Sequence, residues 1–494
     1  MTWGEFWQYF TTVLYFMNLA LAIYFSISLI LKKNDPIRTL SWVIIIIVLP
    51  YIGLILFLLF GRNFRKEKIF NRKGAADLKV WNEMCREELK EIVDEGKLPE
   101  ELEPFRKLII HNIQASHSLL TINDETGILF SGKDALDSMY NAIAQAKEHI
   151  HLQSYIIVDD IIGNKFKELL IKKAKEGVEV RVIYDSVGCW SLSDDYIQEM
   201  KEAGIEILEF SKTRFLFPTT KINYRNHRKI LVVDGKVGFL GGVNIADRYY
   251  SGGSFEEWRD THIMLKGEAV HSLQASFLLD RFFIIHKNLR KRKKYYPEVN
   301  ISQPNYDIDS SNPYYAQIIS SGPDSDWSAI MQCYFLAITQ AKRSIFIVTP
   351  YFTPSESILN AIKITSLAGV EISIMLPERS DTKLTHWGTM SYISELLKAN
   401  VKIYLFKKGF NHSKVLSIDG EFCIIGSANM DNRSFEHNFE ITSVIYSRES
   451  AQIIEKQFVK DMSRCYLITE SKWKKRSKSH KIKESIARLG SPLL

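Results

Sequence analysis

The sequence predicts an α/β protein in which two pseudo-symmetric α/β sandwich domains follow a two-helix transmembrane hairpin. Three observations lead to this prediction. Two long charge-free apolar runs stand near the amino terminus, a pattern of polar residues occurs twice in the rest of the chain, and both copies lie among alternating helical and β-branched stretches. Such alternation is typical of largely buried sheets covered by helices. The duplicated pattern indicates that one domain has been repeated.

The first apolar run, Phe10–Leu31, has 22 residues without a charge. As a helix it would be about 33 Å long, enough to cross a bilayer core of about 30 Å. The second run, Leu40–Phe60, has 21 residues and contains Pro50 and Gly53, which membrane helices tolerate. Because the linker Lys32–Ile37 is short, the two spans would form a hairpin. The alternatives are a cleaved signal peptide, which the absence of Lys and Arg before the first run disfavours, and two buried helices of a soluble protein.

Charge patterning predicts a cytoplasmic main body. Cytoplasmic flanks of membrane helices are enriched in Lys and Arg, and the segment after the second span carries six such residues against three around the loop. The six are Arg62, Arg65, Lys66, Lys68, Arg72 and Lys73, and the three are Lys32, Lys33 and Arg38. Five scattered cysteines without a C-x-x-C pair indicate a reducing compartment, with neither a disulfide framework nor a zinc site. A net charge of +7 favours anionic partners.

Composition and internal repetition divide the chain into four segments. The segments are the hairpin, 1–61, a charged helical connector, 62–127, and two repeats, 128–295 and 296–494. Ala142–Lys147 returns as Ala337–Lys342, and Gly177–Val180 returns as Gly369–Ile372. These returns predict that the two repeats share one fold.

Each repeat also contains the same pattern of five residues. Lysine, aspartate, glycine and asparagine follow a histidine at distances of 2, 7, 14 and 17 residues. The first copy is His227, Lys229, Asp234, Gly241 and Asn244, and the second is His412, Lys414, Asp419, Gly426 and Asn429. Two copies of one set of polar groups predict a single active site built from both repeats. One histidine could then attack while the other moves protons.

The spacing within the pattern assigns roles to its first three residues. In an extended strand, residues two apart share a face, so each histidine projects beside its lysine and suits an anionic substrate. Asp234 and Asp419 each precede a glycine where a hairpin turn is predicted. We interpret these two members of the motif as turn residues or buried structural partners rather than as bases.

The end of each pattern predicts a phosphate clamp. Gly242 and Ser427 end the returning strands, where small side chains let the backbone approach a ligand. The amides of Asn244 and Asn429 would donate to a phosphoryl oxygen, and with the lysines and histidines they would stabilise its charge. Neither copy has the carboxylates or clustered His and Cys that a metal needs, so we expect no metal and no cofactor.

An acid downstream of each pattern would orient the histidine of the same repeat. In the first repeat it is Asp260, and in the second it is Glu440. A carboxylate on one imidazole nitrogen fixes the tautomer and makes the other nitrogen a better nucleophile or base. A surface carboxylate is the alternative for both.

These residues resemble the paired H-x-K-x4-D motifs of the phospholipase D superfamily and, within it, the bacterial cardiolipin synthase family. The resemblance covers nearly the whole chain. It is carried by Trp42–Pro50, Asn223–Lys229, Trp258–His262, Thr349–Phe352, Gly426–Asp431 and Arg433–Phe435. Arg248 stands where relatives commonly carry an acid, and the loop Glu378–Met390 follows the pattern loosely, so acceptor preference and regulation stay open.

The resemblance implies two phospholipase D-like domains that transfer a phosphatidyl group between alcohols at a bacterial plasma membrane. One phosphatidylglycerol would bind between the paired lysines and asparagines. His227 would attack its phosphorus to give a phosphatidyl-histidine. His412 would protonate the leaving glycerol and then activate a hydroxyl of a second phosphatidylglycerol, which gives cardiolipin.

Other functions are compatible with the same motifs. A hydrolytic phospholipase D would use water as the acceptor, and a phosphatidylserine-synthase-type transferase would use another alcohol. A membrane-tethered nuclease is disfavoured by the hairpin and by the lack of an aromatic and basic strand-binding repeat, so no nucleic acid is expected. A non-catalytic membrane scaffold would not need both histidines and their partners. The oligomeric state stays open.

Two basic runs lie outside the motifs, at Arg290–Lys294 and at Lys472–Lys483, the latter with Trp473 inside it. Such runs are usually solvated surface. The alternative is contact with anionic lipid headgroups.

Overall fold

The computed structural model describes residues 2–31, 36–49, 51–57, 76–211, 224–287, 292–298, 314–407 and 409–491. The apolar amino-terminal segment forms one compact unit, and the two repeats together form a second. The basic residues 62–73 and Lys32 and Lys33, on which the predicted orientation depends, lie outside the described residues.

The first apolar run is a single long helix, α1, Trp3–Leu31, which is long and apolar enough to cross a membrane. The second run is divided between α2, Pro36–Val48, and the short α3, Ile52–Leu56. A proline at position 50 lacks the N–H that a continuing helix would use. Within the described ranges only α1 has spanning length, so the predicted second span is not confirmed, and its last residues, 58–60, lie outside those ranges.

The three helices of this unit pack against one another. The ring of Phe57 lies 5.7 Å from the rings of both Phe25 and Trp42, measured between centroids. The buried side-chain oxygen of Asn18 on α1 accepts a hydrogen bond of 3.3 Å from the backbone N–H of Tyr51. This bond gives a partner to one backbone N–H between α2 and α3.

The second unit is a mixed α/β fold. Its helices are α4 (Ala76–Val93), α5 (Arg106–Ser116), α6 (Gly132–Ala144), α7 (Ile161–Lys175), α8 (Asp194–Glu202), α9 (Asp247–Ser251), α10 (Ala269–Ile285), α11 (Ala329–Gln340), α12 (Glu356–Leu367), α13 (Lys383–Met390), α14 (Ile393–Lys398), α15 (Asn432–Glu436), α16 (Arg448–Met462), α17 (Glu470–Lys474) and α18 (Lys478–Leu489), with 3₁₀ turns at Glu100–Phe105 and Arg292–Tyr295. Several helices begin at a side chain that accepts an N–H of the first turn, which offsets unpaired amides there. These caps are Ser131, Asp160, Ser193, Ser355, Ser447 and Ser477.

Nearly all of the strands belong to one continuous sheet. The strands are β1 (Leu120–Ser131), β2 (His149–Ser154), β3 (Glu179–Asp185), β4 (Glu206–Phe210), β5 (Ile230–Val233), β6 (Val237–Gly241), β7 (Trp258–Gly267), β8 (Tyr314–Ser321), β9 (Ser344–Val348), β10 (Phe352–Thr353), β11 (Glu371–Pro377), β12 (Lys402–Phe406), β13 (Phe410–Asn411), β14 (Val415–Ile418), β15 (Phe422–Gly426), β16 (Met430–Asp431), β17 (Glu440–Tyr446) and β18 (Cys465–Ile468). Only β10 and β16 pair apart from it.

The strand order shows the duplication directly. From the middle outward, the first repeat runs β1-β7-β6-β5-β2-β3-β4, and the second runs β8-β17-β15-β14-β9-β11-β12, followed by β18 at the edge. The two halves meet where β1 pairs antiparallel with β8. The predicted pseudo-symmetry is therefore present, but the repeats share one sheet rather than forming separate sandwiches.

The predicted connector also differs from the structure. It is helical at α4 and α5, yet β1 starts at Leu120, inside the segment assigned to the connector. Leu108, Ile109 and Ile113 of α5 are buried in the core of the second repeat. The α5 part of the connector thus belongs to the core of the second unit, and its mainly polar composition did not indicate this burial.

The two aspartates of the repeated pattern sit at hairpin turns, between β5 and β6 and between β14 and β15. Asp234 and Asp419 have φ values of 54° and 57°, and a glycine follows each. Their carboxylates accept backbone N–H bonds of 2.6–2.9 Å from the segments that lead into β2 and β9. Both therefore hold a turn against a neighbouring strand, as the interpretation of them as structural residues expects.

Candidate active site

The histidine of the first pattern is held by an acid of the second repeat. His227 stands just before β5, and Glu440 begins β17. Both carboxylate oxygens of Glu440 lie close to the Nδ1 of His227, at 2.9 and 3.0 Å. The backbone N–H of His227 donates to the carbonyl of Phe439 at 2.9 Å, so backbone and side chain fix the ring together.

The histidine of the second pattern is held the same way by the first repeat. The Nδ1 of His412 lies 2.8 Å from a carboxylate oxygen of Asp260, on β7. Its backbone N–H donates to the carbonyl of Arg259 at 2.7 Å, next to the parallel pairing of β13 with β7. Each histidine is therefore held by the opposite repeat, and the site lies between the two repeats.

The prediction that each acid orients the histidine of its own repeat is wrong. Glu440 holds His227, and Asp260 holds His412. Each acid follows its motif in the chain. The residue before the acid, however, pairs with the residue before the histidine of the opposite repeat, as Phe439 does with Asn226. A linear sequence does not reveal such an exchange.

The environment keeps both histidines neutral and both acids ionised. Burial lowers the pKa of His227 and of His412 to about 4, against the opposing effect of the acids. Burial alone would raise the pKa of Glu440, but the neighbouring His227 and Lys229 bring it below the usual value. Lys414 and His412 do the same for Asp260.

A neutral imidazole beside an ionised carboxylate has a defined tautomer. Because a carboxylate only accepts hydrogen bonds, the Nδ1 of each ring carries the proton and the Nε2 keeps its lone pair. Across the described ranges, neither Nε2 has a hydrogen-bond partner. Each ring can therefore attack or accept a proton at Nε2.

The two lysines are buried beside their histidines. The Nζ of Lys229 donates to the carbonyl of His227 at 2.7 Å, and that of Lys414 donates to the carbonyl of His412. Burial lowers the pKa of Lys229 to about 7 and of Lys414 to about 8, although Glu440 and Asp260 respectively favour the charged forms. Such lysines are poised to gain stabilisation from an anion.

The two asparagines of the pattern differ in what remains for a ligand. Asn244 donates to the hydroxyl of Tyr249 at 2.5 Å and accepts from the backbone N–H of Ile156 at 3.1 Å. The side-chain oxygen of Asn429 is buried without a hydrogen-bond partner in the described part of the chain. That oxygen is an acceptor, and the NH2 group of Asn429 interacts with the carboxylate of Asp431, so the NH2 groups of both asparagines have partners before a ligand binds.

Gly242 and Ser427 contact the orienting acids rather than an open ligand space. A Cβ added at Gly242 would lie 2.0 Å from a carboxylate oxygen of Asp260. The hydroxyl of Ser427 donates to the carboxylate of Glu440. The close approach that we predicted toward a ligand is thus made to the groups that hold the histidines.

Aromatic residues near the histidines were missed by the sequence reasoning. The ring of Tyr155, just after β2, lies 4.9 Å from the ring of His227. The ring of Tyr351, just after β9, lies 6.3 Å from that of His412, and its hydroxyl donates to Asp381. Each follows a strand, β2 or β9, that pairs with the strand after the histidine of its own repeat, and this placement was the available signal.

Two buried ion pairs behind the site were also missed. Asp280 of α10 accepts from Arg228, the residue between His227 and Lys229, at 2.5 and 2.6 Å. Asp461 of α16 accepts from Arg259 at 3.2 Å. The two aspartates follow Asp260 and Glu440 by 20 and 21 residues, and this regular spacing could have identified them.

Comparison with known proteins agrees with this architecture. The family described as "Cardiolipin synthase, PLD-like domain" matches residues 139–278 and 334–462, and "Phospholipase_D-nuclease N-terminal" matches residues 20–62. A cardiolipin synthase of Geobacillus sp. (strain WCH70) is 39% identical over 96% of this chain and 92% of the relative. One of Halalkalibacterium halodurans is 37% identical over 99% of this chain and 96% of the relative.

Among solved structures, the crystal structure of phosphatidylserine synthase from Haemophilus influenzae Rd KW20 matches with a TM-score of 0.57 and 14% identity. The match covers 80% of this chain and all of that chain. At this identity the likeness concerns the fold alone. With paired histidine centres, matching profiles on both repeats and relatives similar over almost their full length, the chain belongs to the cardiolipin synthase family of phospholipase D-like enzymes.

Proposed function

We propose that this enzyme transfers the phosphatidyl group of one phosphatidylglycerol to a second, which gives cardiolipin and glycerol. The observation that carries the proposal is the crossed pair of histidine–acid contacts, His227 with Glu440 and His412 with Asp260. A reaction in two displacement steps needs two such groups, one to attack and one to move protons. Family membership supplies the substrate class.

In the first step, the Nε2 of His227 attacks phosphorus and the bond from phosphorus to the glycerol oxygen breaks. Binding of the anionic phosphodiester favours the protonated form of His412, which gives the proton on its Nε2 to that oxygen, and a phosphatidyl-histidine remains. In the second step, His412 takes the proton from a hydroxyl of the second phosphatidylglycerol, whose oxygen displaces His227. One phosphodiester replaces another, so the exchange needs no nucleotide.

The contacts of the two rings support this division of roles. His227 faces both oxygens of one carboxylate, which fixes a single tautomer with a nucleophilic Nε2. His412 has the Nζ of Lys414 at 2.9 Å from its Nδ1, in addition to Asp260. Because the Nδ1–H and the lysine ammonium are both donors, Lys414 makes no hydrogen bond to this ring. Burial and the charge of Lys414 lower the pKa of His412, so the protonated ring readily gives up its proton.

The phosphodiester binds between Lys229, Lys414 and the amide of Asn429, with Asn244 holding Tyr249 beside them. A phosphate oxygen at this place favours the protonated, charged form of the two lysines, which are partly deprotonated without it. Because the negative charge on phosphorus oxygens grows in the transition state, buried donors contribute more there than in the ground state.

The enzyme acts at the bacterial plasma membrane, with the second apolar run as a further membrane segment and the catalytic unit on the cytoplasmic side. The support is the apolar α1 and the excess of basic residues after the second run. Labelling of a cysteine placed at Arg38 by a membrane-impermeant maleimide in intact cells tests this topology. Labelling only after cell lysis would contradict it.

Product analysis tests the reaction. Purified enzyme is incubated with phosphatidylglycerol in detergent with EDTA, beside the His227→Ala and His412→Ala variants, and lipids are identified by mass spectrometry. Cardiolipin and free glycerol from the wild type only would support the proposal. Phosphatidic acid alone would overturn it in favour of hydrolysis, and equal cardiolipin from either variant would overturn the role of the histidines.

A further inference from the structure

The helix α18 exposes a row of large apolar side chains. Ile482, Ile486 and Leu489 are 59%, 64% and 84% exposed, and their spacing of four and three residues places them on one face. The opposite face is packed, with Glu484 and Ala487 buried. Single exposed apolar residues are ordinary, but an aligned row on an otherwise polar helix is not explained by the fold. We call this row the α18 stripe.

Basic residues border the α18 stripe. On a helical projection Lys478 and Lys481 fall on one side of it and Lys483 falls on the other, whereas Arg488 pairs with Glu395 at 2.6 Å. From 470 to 491 the chain has six Lys and two Arg against two Glu, a net charge of +6. Both glutamates are neutralised locally, Glu470 by Lys474 and Glu484 by Arg476, each at 2.7 Å.

Packing connects the α18 stripe to the active site. α18 packs on α13, where the ring of Trp387 lies 5.0 Å from that of His480. Thr389 of α13 accepts from the backbone N–H of Phe352 at 3.0 Å, next to Tyr351. Leu384, at the start of α13, is also exposed.

We propose that the α18 stripe lies in the surface of an anionic bilayer and holds the His412 side of the active site against the membrane. A helix with a narrow apolar face and Lys and Arg beside it is typical of helices that lie in the plane of a lipid surface. Anionic headgroups match the surplus positive charge. The contact is independent of the reaction, because a hydrolase with this helix would dock in the same way.

Docking of this kind has a use for a lipid substrate. The phosphodiester of phosphatidylglycerol lies at headgroup level while its chains stay in the bilayer. A catalytic edge held at the surface could take the headgroup without extracting the whole lipid. The amino-terminal anchor keeps the protein near the membrane, and the α18 stripe sets which edge faces it.

Depth-dependent quenching tests the proposal in the full-length chain. Ile486→Cys and the matched control Val459→Cys carry an environment-sensitive fluorophore. Val459, on α16, is 58% exposed. The five native thiols interfere little, because burial raises the pKa of each to about 12 and leaves scarce thiolate for labelling.

The labelled chains are reconstituted into vesicles of phosphatidylglycerol and phosphatidylcholine whose acyl chains carry bromine as a quencher. We expect the fluorescence at position 486 to fall about twofold or more, the fall to weaken in pure phosphatidylcholine and in high salt, and position 459 to stay unquenched. No quenching at 486, equal quenching at both positions, or equal quenching in neutral vesicles would each overturn the proposal. So would excimer emission from pyrene at 486 without lipid, since a second copy would then cover the stripe.

An activity assay gives an independent reading. Ile482→Glu with Ile486→Glu should raise KM for phosphatidylglycerol in vesicles about tenfold and leave turnover of detergent-dispersed lipid unchanged. Val459→Glu should change neither. Equal loss in both assays would overturn the docking role, while an inactive wild-type enzyme would concern the proposed reaction and leave the quenching result valid.

Discussion

The two histidine centres have the same backbone arrangement and different surroundings. Each histidine donates its backbone N–H to a carbonyl of the opposite repeat. The His227 ring has one neighbouring aromatic ring within contact distance, that of Tyr155, in the described part of the chain. The His412 ring has four, from Tyr249, Tyr351, Trp258 and Phe410. The duplicated scaffold thus places both rings alike, and side chains outside the repeated pattern make the two centres chemically unequal.

The buried ion pairs also differ between the two histidine centres. Arg228 and Asp280 pair within the first repeat, whereas Arg259 of the first repeat pairs with Asp461 of the second. At the position of Arg228 the second repeat has Ser413, which accepts from Arg259 at 3.3 Å. The ion pair behind the second centre therefore takes its arginine from the first repeat, whereas both members of the pair behind the first centre belong to the first repeat.

The largest expected effect comes from removing the crossed acids. Glu440→Gln and Asp260→Asn should each lower kcat by about 10²–10⁴-fold, because the imidazole loses its tautomer control. In histidine-labelled protein, nitrogen NMR assigned through His227→Asn and His412→Asn should show that Glu440→Gln moves the His227 signals alone. Movement of the His412 signals instead would contradict the crossed pairing.

The next largest effect is on stability and compares the two buried ion pairs. Asp280→Asn should lower the free energy of unfolding by about 3–5 kcal/mol, because the buried Asp280 carboxylate also accepts from Gln153 and Asn226, and its loss leaves the fully buried Arg228 with neutral acceptors alone. Asp461→Asn should cost about 1–3 kcal/mol, since Arg259 keeps the carbonyl of Asp260 at 2.6 Å. Denaturant unfolding in detergent measures both, and equal losses would contradict the comparison.

The pH dependence follows from the lysines and histidines. Lys229 and Lys414 have lowered pKa values of about 7 and about 8, so each carries its charge mainly below that pH. The histidines have pKa values of about 4 and are mainly neutral above pH 4 in the free enzyme. kcat/KM should fall as the two lysines lose their protons, up to tenfold per unit between about pH 7 and 8 and up to a hundredfold per unit above pH 8. Lys229→Arg and Lys414→Arg should each flatten part of the alkaline fall. A rise in kcat/KM through pH 7–8 would contradict this account.

The smallest effect compares the two turn glycines. Gly235 and Gly420 have φ values of 66° and 64°, so alanine is strained at both. A Cβ at Gly235 would also lie 2.6 Å from Tyr295 and Pro297, whereas at Gly420 nothing lies closer than 3.4 Å. We expect Gly420→Ala to cost about 1–2 kcal/mol and Gly235→Ala more. Thermal unfolding measures the difference, and a larger loss at Gly420 would contradict it.

Much of this molecule could be predicted from repetition in the sequence. The spacing of His227 and His412 with their lysines indicated one site from two halves, and the Asp-Gly pairs indicated turns. These are local signals, since they depend on strand periodicity and turn chemistry within a few residues.

The remaining features depend on contacts that the chain order does not show. The exchange of Glu440 and Asp260 between repeats arises from strand pairing across the centre. The role of Gly242 depends on where the Asp260 carboxylate lies, and the start of β1 at Leu120 depends on its partners β7 and β8. The second apolar run ends one helix at Val48 and begins another at Ile52, although its composition is apolar throughout.

Trapping the covalent intermediate tests the central claim most directly. A phosphatidyl ester with a nitrophenol leaving group needs no proton donor, so it should react with His412→Asn and stall as phosphatidyl-histidine. After an alkaline quench, peptide mass spectrometry should find the adduct on His227 in that variant and no adduct in His227→Asn. An adduct on His412 in His227→Asn, with none on His227 in His412→Asn, would contradict the assignment of roles to the two centres.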